Sequence, residues 1–550
     1  MNRSRHTYVP AQPQILLLLL MALLLIPWLG QTWFNSKGEP REAIVAASIL
    51  SSGNWILPVN YGGDIAFKPP FLYWCIAICA KIFNGGTVNE FISRLPSALA
   101  LMAMVWSGFR WAWRVKDSAT AWAMAAVTVT SVEVFRAGVA CRLDMLVTAL
   151  MVMSLYQLYY LTNPKTRHRA FRYVGVVLMM SAATMTKGPI GSALPCLIAG
   201  IYMLLRGQGF WRTTGMLAAV FICSLILPAW WFMEAWKQGG QHFYDLMMEE
   251  NVGRLTGTMS YGSHVKPLYY NFLTILSGMA PWTLLMLMCG AYMRKIRLSY
   301  MRAPGQFMCV AAAATFIFYC IPQSKRSVYL LPMYPAMAYG VACAVLALRK
   351  SKALSIYRYI IYVLAILLLP AIIFLSVKAD GIIIRMDQPQ WWQWIFIALP
   401  LLTALFLWKE RTDALMGSCT VTYALFLAYA AALMPAILRP QSDKPLTAII
   451  NEHSPAGATV YSLEAPGKIR FFTLNFYLDD RIRPVKTLTE LHDMPQGTVV
   501  LYDVAVADSL AADTLFDHTR ISKRGCDFRH PLYMGVRNNK PAAGDSLPHR

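Results

Sequence analysis

The chain has 550 residues, 57% of them hydrophobic and 14% charged, with a mean hydropathy of +0.44. A soluble domain is usually about half apolar and about a quarter charged, so this composition excludes a water-soluble globule and points to a polytopic membrane protein. The formal net charge of +22 does not point to nucleic acid, because the Lys and Arg residues form short clusters between apolar runs rather than one basic face.

Apolar runs able to cross about 30 Å of hydrocarbon occur at 13–30, 94–113, 118–136, 144–161, 173–189, 190–205, 213–233, 268–292, 305–321, 328–348, 357–377, 391–408 and 413–437. The expectation is therefore about thirteen transmembrane helices. The first run is leucine-rich and lacks a small-residue cleavage site after it, which reads as an anchor rather than a removed signal peptide. Of the 11 cysteines, all but Cys526 lie in or beside apolar segments, without CxxC pairs or His/Cys ligand spacing, so no structural zinc and no disulfide framework is expected.

With Arg3 and Arg5 cytoplasmic, alternate loops read "RWAWRVKD", "KTRHRAFR", "RGQGFWR", "RKIRLSYMR", "RKSKALSIYR" and "KERTD", a positive-inside alternation over the whole chain. An odd number of spans then puts the segment from about Arg439 onward outside. The first outer loop, 31–93, is long, and two stretches in it are expected to lie on the outer interface as helices. One is Pro40–Leu50, where Ala43, Ala47 and Leu50 share a face; the other is 70–84, which is too short to span.

Against that bias, a set of cations faces outward: Arg41, Lys68, Arg94, Arg142, Lys187, Arg254, His264, Lys266, Lys325 and Arg326. Gathered on one side of a membrane, such groups suit an anionic, lipid-borne phosphate, with lysine acting as a point charge and arginine as a fork. Asp144, in "CRLDM", begins an apolar run, where a carboxylate is costly unless paired; Arg142 or Arg136 is the expected partner.

The stretches "GEPREAIVAASILSSGNW", "FKPPFLYW", "RLPSAL", "CRLDMLVT", "TKGPIG" and "SKRSVYLLPMYP", in that order, resemble the integral-membrane GT-C glycosyltransferases. The similarity covers roughly residues 10–340 and is to the family of protein O-mannosyltransferases and lipid A 4-amino-4-deoxy-L-arabinose transferases (glycosyltransferase family 39-like). The resemblance implies transfer of a sugar from an undecaprenyl-phosphate carrier to a lipid A-like or protein acceptor, at the outer side of the bacterial inner membrane and without a metal or other cofactor. It assigns the acceptor-activating carboxylate to Glu39, since Gly38 stands where the family commonly has an Asp, and a second acidic position to Asp144. Lys68, Arg41, Arg142, Lys187, Arg254, Lys325 and Tyr329 become donor-phosphate or carrier ligands, and His264 and Lys266 acceptor or loop candidates. One direct displacement at the sugar carbon implies inversion.

Residues 1–440 thus read as the transmembrane transferase domain and 441–550 as a small extracytoplasmic α/β domain, in which "ATVYSL", "IRFFTLNFYL", "TVVLYDV" and "PLYMGV" are strand-like and "PLTAIINEH" and "LTELHDM" helix-like. The alternatives are a polyprenyl-linked lipid transporter or flippase, disfavoured by the lack of mid-depth charges and repeats, and a surface-polysaccharide ligase.

Overall fold

The computed structural model of the protein describes residues 9–60, 63–66, 68–249, 265–290, 302–349, 351–377, 390–410, 412–455, 457–463, 471–485, 487–503, 515–522 and 531–538. Contacts divide the chain into two compact units. The first holds Met1–Leu29, Phe67–Cys75 and Arg94–Pro435; the second holds Gly30–Ala66, Ile76–Ser93 and Ala436–Arg550.

The first unit is helical. Helices α1 (Ala11–Leu25), α2 (Gly38–Ser52), α3 (Phe71–Phe83), α4 (Glu90–Val115), α5 (Ser118–Val129), α6 (Val132–Gly138), α7 (Leu143–Leu161), α8 (Arg169–Lys187), α9 (Ile190–Leu205) and α10 (Phe210–Met248) follow in order, with α2, α3 from Ile76 onward and the first four residues of α4 belonging to the second unit. Among the described residues, nine helices are long and apolar enough to cross a membrane, or eleven when each of two bent pairs counts as one span. These eleven coincide with eleven of the thirteen apolar runs. The other two are α8, which carries Arg169, Arg172 and Lys187, and α9, whose 16 residues reach only about 24 Å.

The bends have side-chain causes. Where α5 meets α6 at 69°, Thr130 Oγ1 and Ser131 Oγ donate back to the carbonyls of Ala126 and Val127, both at 2.6 Å, and so compete with the helix ladder. The second break, at 112° between Tyr269–Gly278 and Trp282–Met288, packs on the first: Trp282 Nε1 donates to Thr130 Oγ1 at 2.9 Å, and the Val132 N–H to the Ala280 carbonyl at 3.1 Å. Helices α8, α9 and α10 are joined by buried hydroxyls, Ser181 to the Ser224 carbonyl at 2.7 Å and Ser224 to Ser192 at 2.8 Å. Such polar contacts between close-packed helices replace the hydrophobic drive that lipid cannot supply.

In the second unit, strands β1 (Val460–Leu463), β2 (Ile482–Val485), β3 (Val499–Asp503), β4 (Phe516–Ser522) and β5 (Leu532–Arg537) form one sheet in the order β2-β1-β3-β5-β4. The first three are parallel and β5 runs antiparallel to both its neighbours. Apolar side chains pack both faces: Val460, Ile482, Val499, Leu501 and Met534 on one, Leu463, Val485, Val500 and Tyr502 on the other.

Two expectations are corrected in this unit. The stretch "IRFFTLNFYL" supplies a helix, Phe472–Tyr477, rather than a strand; Phe471, Leu474 and Leu478 are its buried positions, a helical spacing that fills the sheet's face. Helix α2 forms as expected, but it does not present one apolar stripe: Glu39, Glu42, Ala43, Ile44, Val45, Ala46, Ser48 and Ile49 are all buried. Part of what encloses this region is the C-terminal segment of the same unit. The Phe34 and Phe476 rings meet at 4.8 Å, the Phe34 N–H donates to the Tyr477 hydroxyl at 2.8 Å, and that hydroxyl donates to Glu90 at 2.9 Å.

Candidate active site

Three chain segments of the first unit converge on Asp144. The carboxylate lies in the first turn of α7, two residues after Arg142, whose extended backbone starts the helix, and only 9% of the residue is exposed. Lys187 is the last residue of α8. Gly188, at φ 87, ends that helix in a conformation that only glycine adopts readily, and its N–H closes the last turn on the Thr184 carbonyl at 2.8 Å. The chain then doubles back so closely that a Cβ on Gly191 would stand 2.4 Å from the Ala183 carbonyl carbon. This turn fixes where the lysine points.

Lys187 Nζ donates to Asp144 Oδ1 in an ion pair, and the same ammonium stands 4.4 Å from the centroid of the Tyr329 ring, a cation–π distance. Tyr329 in turn packs on Tyr319 with ring centroids 5.6 Å apart. Arg142 and Arg326 also lie within electrostatic reach of Asp144. Three cations thus gather around one carboxylate, a setting suited to an anionic ligand such as a phosphate.

The partner of Asp144 is thus not the one the sequence pointed to first. Arg142 acts on it, but the direct ion pair is with Lys187, 43 residues away. Arg136 is instead gripped by Glu133 on both sides, at 2.6 and 3.1 Å, with a further contact to Ser327 Oγ at 3.3 Å. Reading the chain missed Glu133, although its i, i+3 spacing to Arg136 in "VEVFR" is an ion-pair pattern on one helix face. It also left Tyr319 unremarked.

The other candidates distribute as follows. Lys325 is buried, and its ammonium donates to the Pro322 carbonyl at 2.7 Å, closing its own turn. Lys266 is exposed beside that turn, where Val265 bridges Ser324 and the Lys266 N–H donates to the Gln323 carbonyl at 3.3 Å. Lys68 is half-buried in the bend before α3. Arg94 is fully enclosed and donates to the Leu29 carbonyl at 2.7 Å. Arg254 and His264 lie outside the described residues. In the second unit, Glu39 is buried in the first turn of α2, and Arg41 pairs with Glu42 at 2.6 Å. The second Glu42 oxygen is buried without a hydrogen-bond partner among the described residues. No group of His, Cys, Asp and Glu among the described residues has the geometry of a metal site.

Residues 67–232 match the family described as dolichyl-phosphate-mannose-protein mannosyltransferase. A protein of Proteus mirabilis (strain HI4320), named undecaprenyl phosphate-alpha-4-amino-4-deoxy-L-arabinose arabinosyl transferase 2, is 28% identical over 392 residues, 69% of this chain and 68% of its own length. One of the same name without the numeral, from Enterobacter sp. (strain 638), is 25% identical over 333 residues, 60% of this chain and 58% of its own. The crystal structure of ArnT from Cupriavidus metallidurans bound to undecaprenyl phosphate superposes with a TM-score of 0.73 at 20% identity, covering 98% of this chain and all of that one. The archaeal oligosaccharyltransferase AglB from Archaeoglobus fulgidus follows at a TM-score of 0.51 and 12% identity, covering 90% of this chain and 69% of its own.

Helical scaffold, C-terminal sheet and matches together define a polytopic integral-membrane glycosyltransferase of the GT-C class. Within that class, the chain is similar in particular to the ArnT aminoarabinose transferases and the protein mannosyltransferases.

Proposed function

We propose that the protein transfers a sugar from an undecaprenyl-phosphate carrier to a lipid A-like or protein acceptor, at the periplasmic face of the bacterial inner membrane. The observation that carries this reading is the Asp144–Lys187 pair backed by Tyr329 and surrounded by Arg142 and Arg326. The names of the relatives and the carrier in the ArnT crystal structure support the same carrier.

In the reaction, the acceptor oxygen bonds to the anomeric carbon while the bond from that carbon to the phosphate oxygen breaks. The acceptor proton passes to a carboxylate, a role assigned here to Glu39, and the sugar carbon inverts. The phosphate leaves with one more negative charge than it carried as a diester. Lys187, Arg142 and Arg326 answer that charge, and no metal is required; Lys68, Arg41, Arg254 and Lys325 are the further carrier-ligand candidates that the family motifs supply. A carboxylate already paired with an ammonium is a weak base, so Asp144 acts as the positioning residue for Lys187. His264 and Lys266 contact the acceptor or shape its loop, and residues 441–550 form an extracytoplasmic domain.

The test is mass spectrometry of lipid A and envelope glycoproteins from a deletion strain, followed by transfer with the purified full-length protein in vesicles and an undecaprenyl-phosphate-linked sugar. Loss of one sugar unit in the strain, restored by wild-type protein, is expected. Transfer of a whole polysaccharide chain would replace this reading with that of a ligase, and an unchanged envelope would overturn it.

A further inference from the structure

At the end of α7 remote from Asp144, the structure holds a second concentration of positive charge that the transfer reaction does not use. Tyr160 lies sixteen residues after Asp144 on α7, about 24 Å along the helix. Arg110 and Arg114 of α4 and Arg172 of α8 all come close enough to act on its phenol, with the Arg172 guanidinium 4.4 Å over the ring. Arg114 is near enough to both other arginines to repel them. Among the described residues, none of the three makes an ion pair with a carboxylate. The Nε atoms of Arg110 and Arg114 are buried with no hydrogen-bond partner there, while Arg114 also acts on the Tyr160 hydroxyl and Arg172 donates to Gln157 Oε1.

Like charges packed around unsatisfied donors call for an anion. We propose that Arg110, Arg114, Arg172 and Tyr160 bind the phosphate of an anionic glycerophospholipid, on the membrane face opposite the Asp144 site. A lipid fits better than a free ion because Phe171, Val174 and Leu178 on α8, beside Arg172, are 82%, 57% and 61% exposed, an apolar stripe for acyl chains. Basic pockets between helix ends on the cytoplasmic side suit such headgroups.

The test is a titration of the full-length protein in neutral detergent with phosphatidylglycerol, read by native mass spectrometry, with phosphatidylcholine and inorganic phosphate as comparison probes. Wild type should retain phosphatidylglycerol in preference to phosphatidylcholine. Affinity should fall about fivefold in Arg172→Gln and about 25-fold in Arg114→Gln/Arg172→Gln, at roughly the strength of one basic residue per step. Arg172→Lys should lose less than Arg172→Gln. Arg172 sits at the edge of the cluster, so its variants decide the matter even if Arg114→Gln misfolds. Equal retention of both lipids, or unchanged phosphatidylglycerol affinity in Arg172→Gln, would overturn the proposal. Displacement of the lipid by inorganic phosphate at comparable concentration would reassign the cluster to a free anion.

Discussion

Lys187 carries two interactions at once, the Asp144 ion pair and the face of Tyr329, and each depends on where α8 ends. Lys187→Ala should lower transfer by roughly 10²- to 10³-fold, the cost of removing one preorganised group that answers transition-state charge. The loss should fall mainly on kcat, and Lys187→Arg should not restore it, because a planar fork does not replace a point charge between a carboxylate and a ring. Normal turnover in Lys187→Ala would reduce the pair to a structural contact. Glu39 is tested by a different signature. Glu39→Gln keeps shape and hydrogen bonding but cannot take a proton, so carrier should still bind while transfer falls by roughly 10²- to 10⁴-fold. Gly38→Asp in that background should recover part of the activity, since it supplies an acid one residue away. An undiminished rate in Glu39→Gln itself would remove Glu39 from the mechanism.

At the scale of elements, the α8–α9 turn is the part most sensitive to sequence. Gly191→Ala would force a methyl against the Ala183 backbone, so it should destabilise the protein by about 1–3 kcal/mol, as overpacking does, and displace Lys187. Gly215, exposed within α10 with nothing within 4 Å of its missing Cβ, is the matched control. Gly215→Ala should be neutral or stabilise by up to about 1 kcal/mol through helix propensity. Thermal unfolding of both variants in detergent checks the contrast, and equal effects would show that the turn has room to adjust. The turn was half legible in the sequence. "TKGPIG" announces a helix stop at Gly188 and Pro189, but only the packing shows that Gly191 must be bare. Long apolar runs were readable for the same reason that they span, since every backbone group in them has to bond within the helix. The break at Thr130 was not readable, because its cause, two hydroxyls bonding back to the preceding turn, leaves the apolar run uninterrupted, and its packing against Trp282 joins positions 152 residues apart. The helix Phe472–Tyr477 was misread as a strand, because its aromatic composition favours β structure and the sheet it packs against decides otherwise. In the candidate site, the residue types at Asp144, Lys187 and Tyr329 were legible from motifs. Their pairing was not, since 43 residues of chain separate the carboxylate from its ammonium.

For the whole molecule, sidedness depends on parity, and parity depends on the two bent pairs. Helices α8 and α9 form a hairpin, so whether they both cross or both stay shallow, the chain leaves them on the side where it entered. The pairs Ser118–Gly138 and Tyr269–Met288 are different, because each is either one broken span or a re-entrant loop. If both cross, or neither does, the number of crossings stays odd and the two ends of the chain lie on opposite sides. If only one crosses, the C-terminal sheet shares the side of residue 9. The basic loops favour two crossings: Arg110 and Arg114 precede the first pair and Lys165, Arg167, Arg169 and Arg172 follow the next helix, which puts both clusters in the cytoplasm only if the first pair spans. Reporter fusions after Asn163 and Gly207 should therefore read as cytoplasmic, and fusions at Gly188 and after Arg537 as periplasmic. A cytoplasmic reading at Arg537 with the others unchanged would put the C-terminal sheet in the cytoplasm and would place the change in the number of crossings after Tyr329, because Tyr329 stands against Lys187 and so shares its face of the membrane. A periplasmic reading at Asn163 would be more damaging. It would place the Tyr160 cluster outside and Asp144 inside, on the wrong side of the membrane for a periplasmic acceptor.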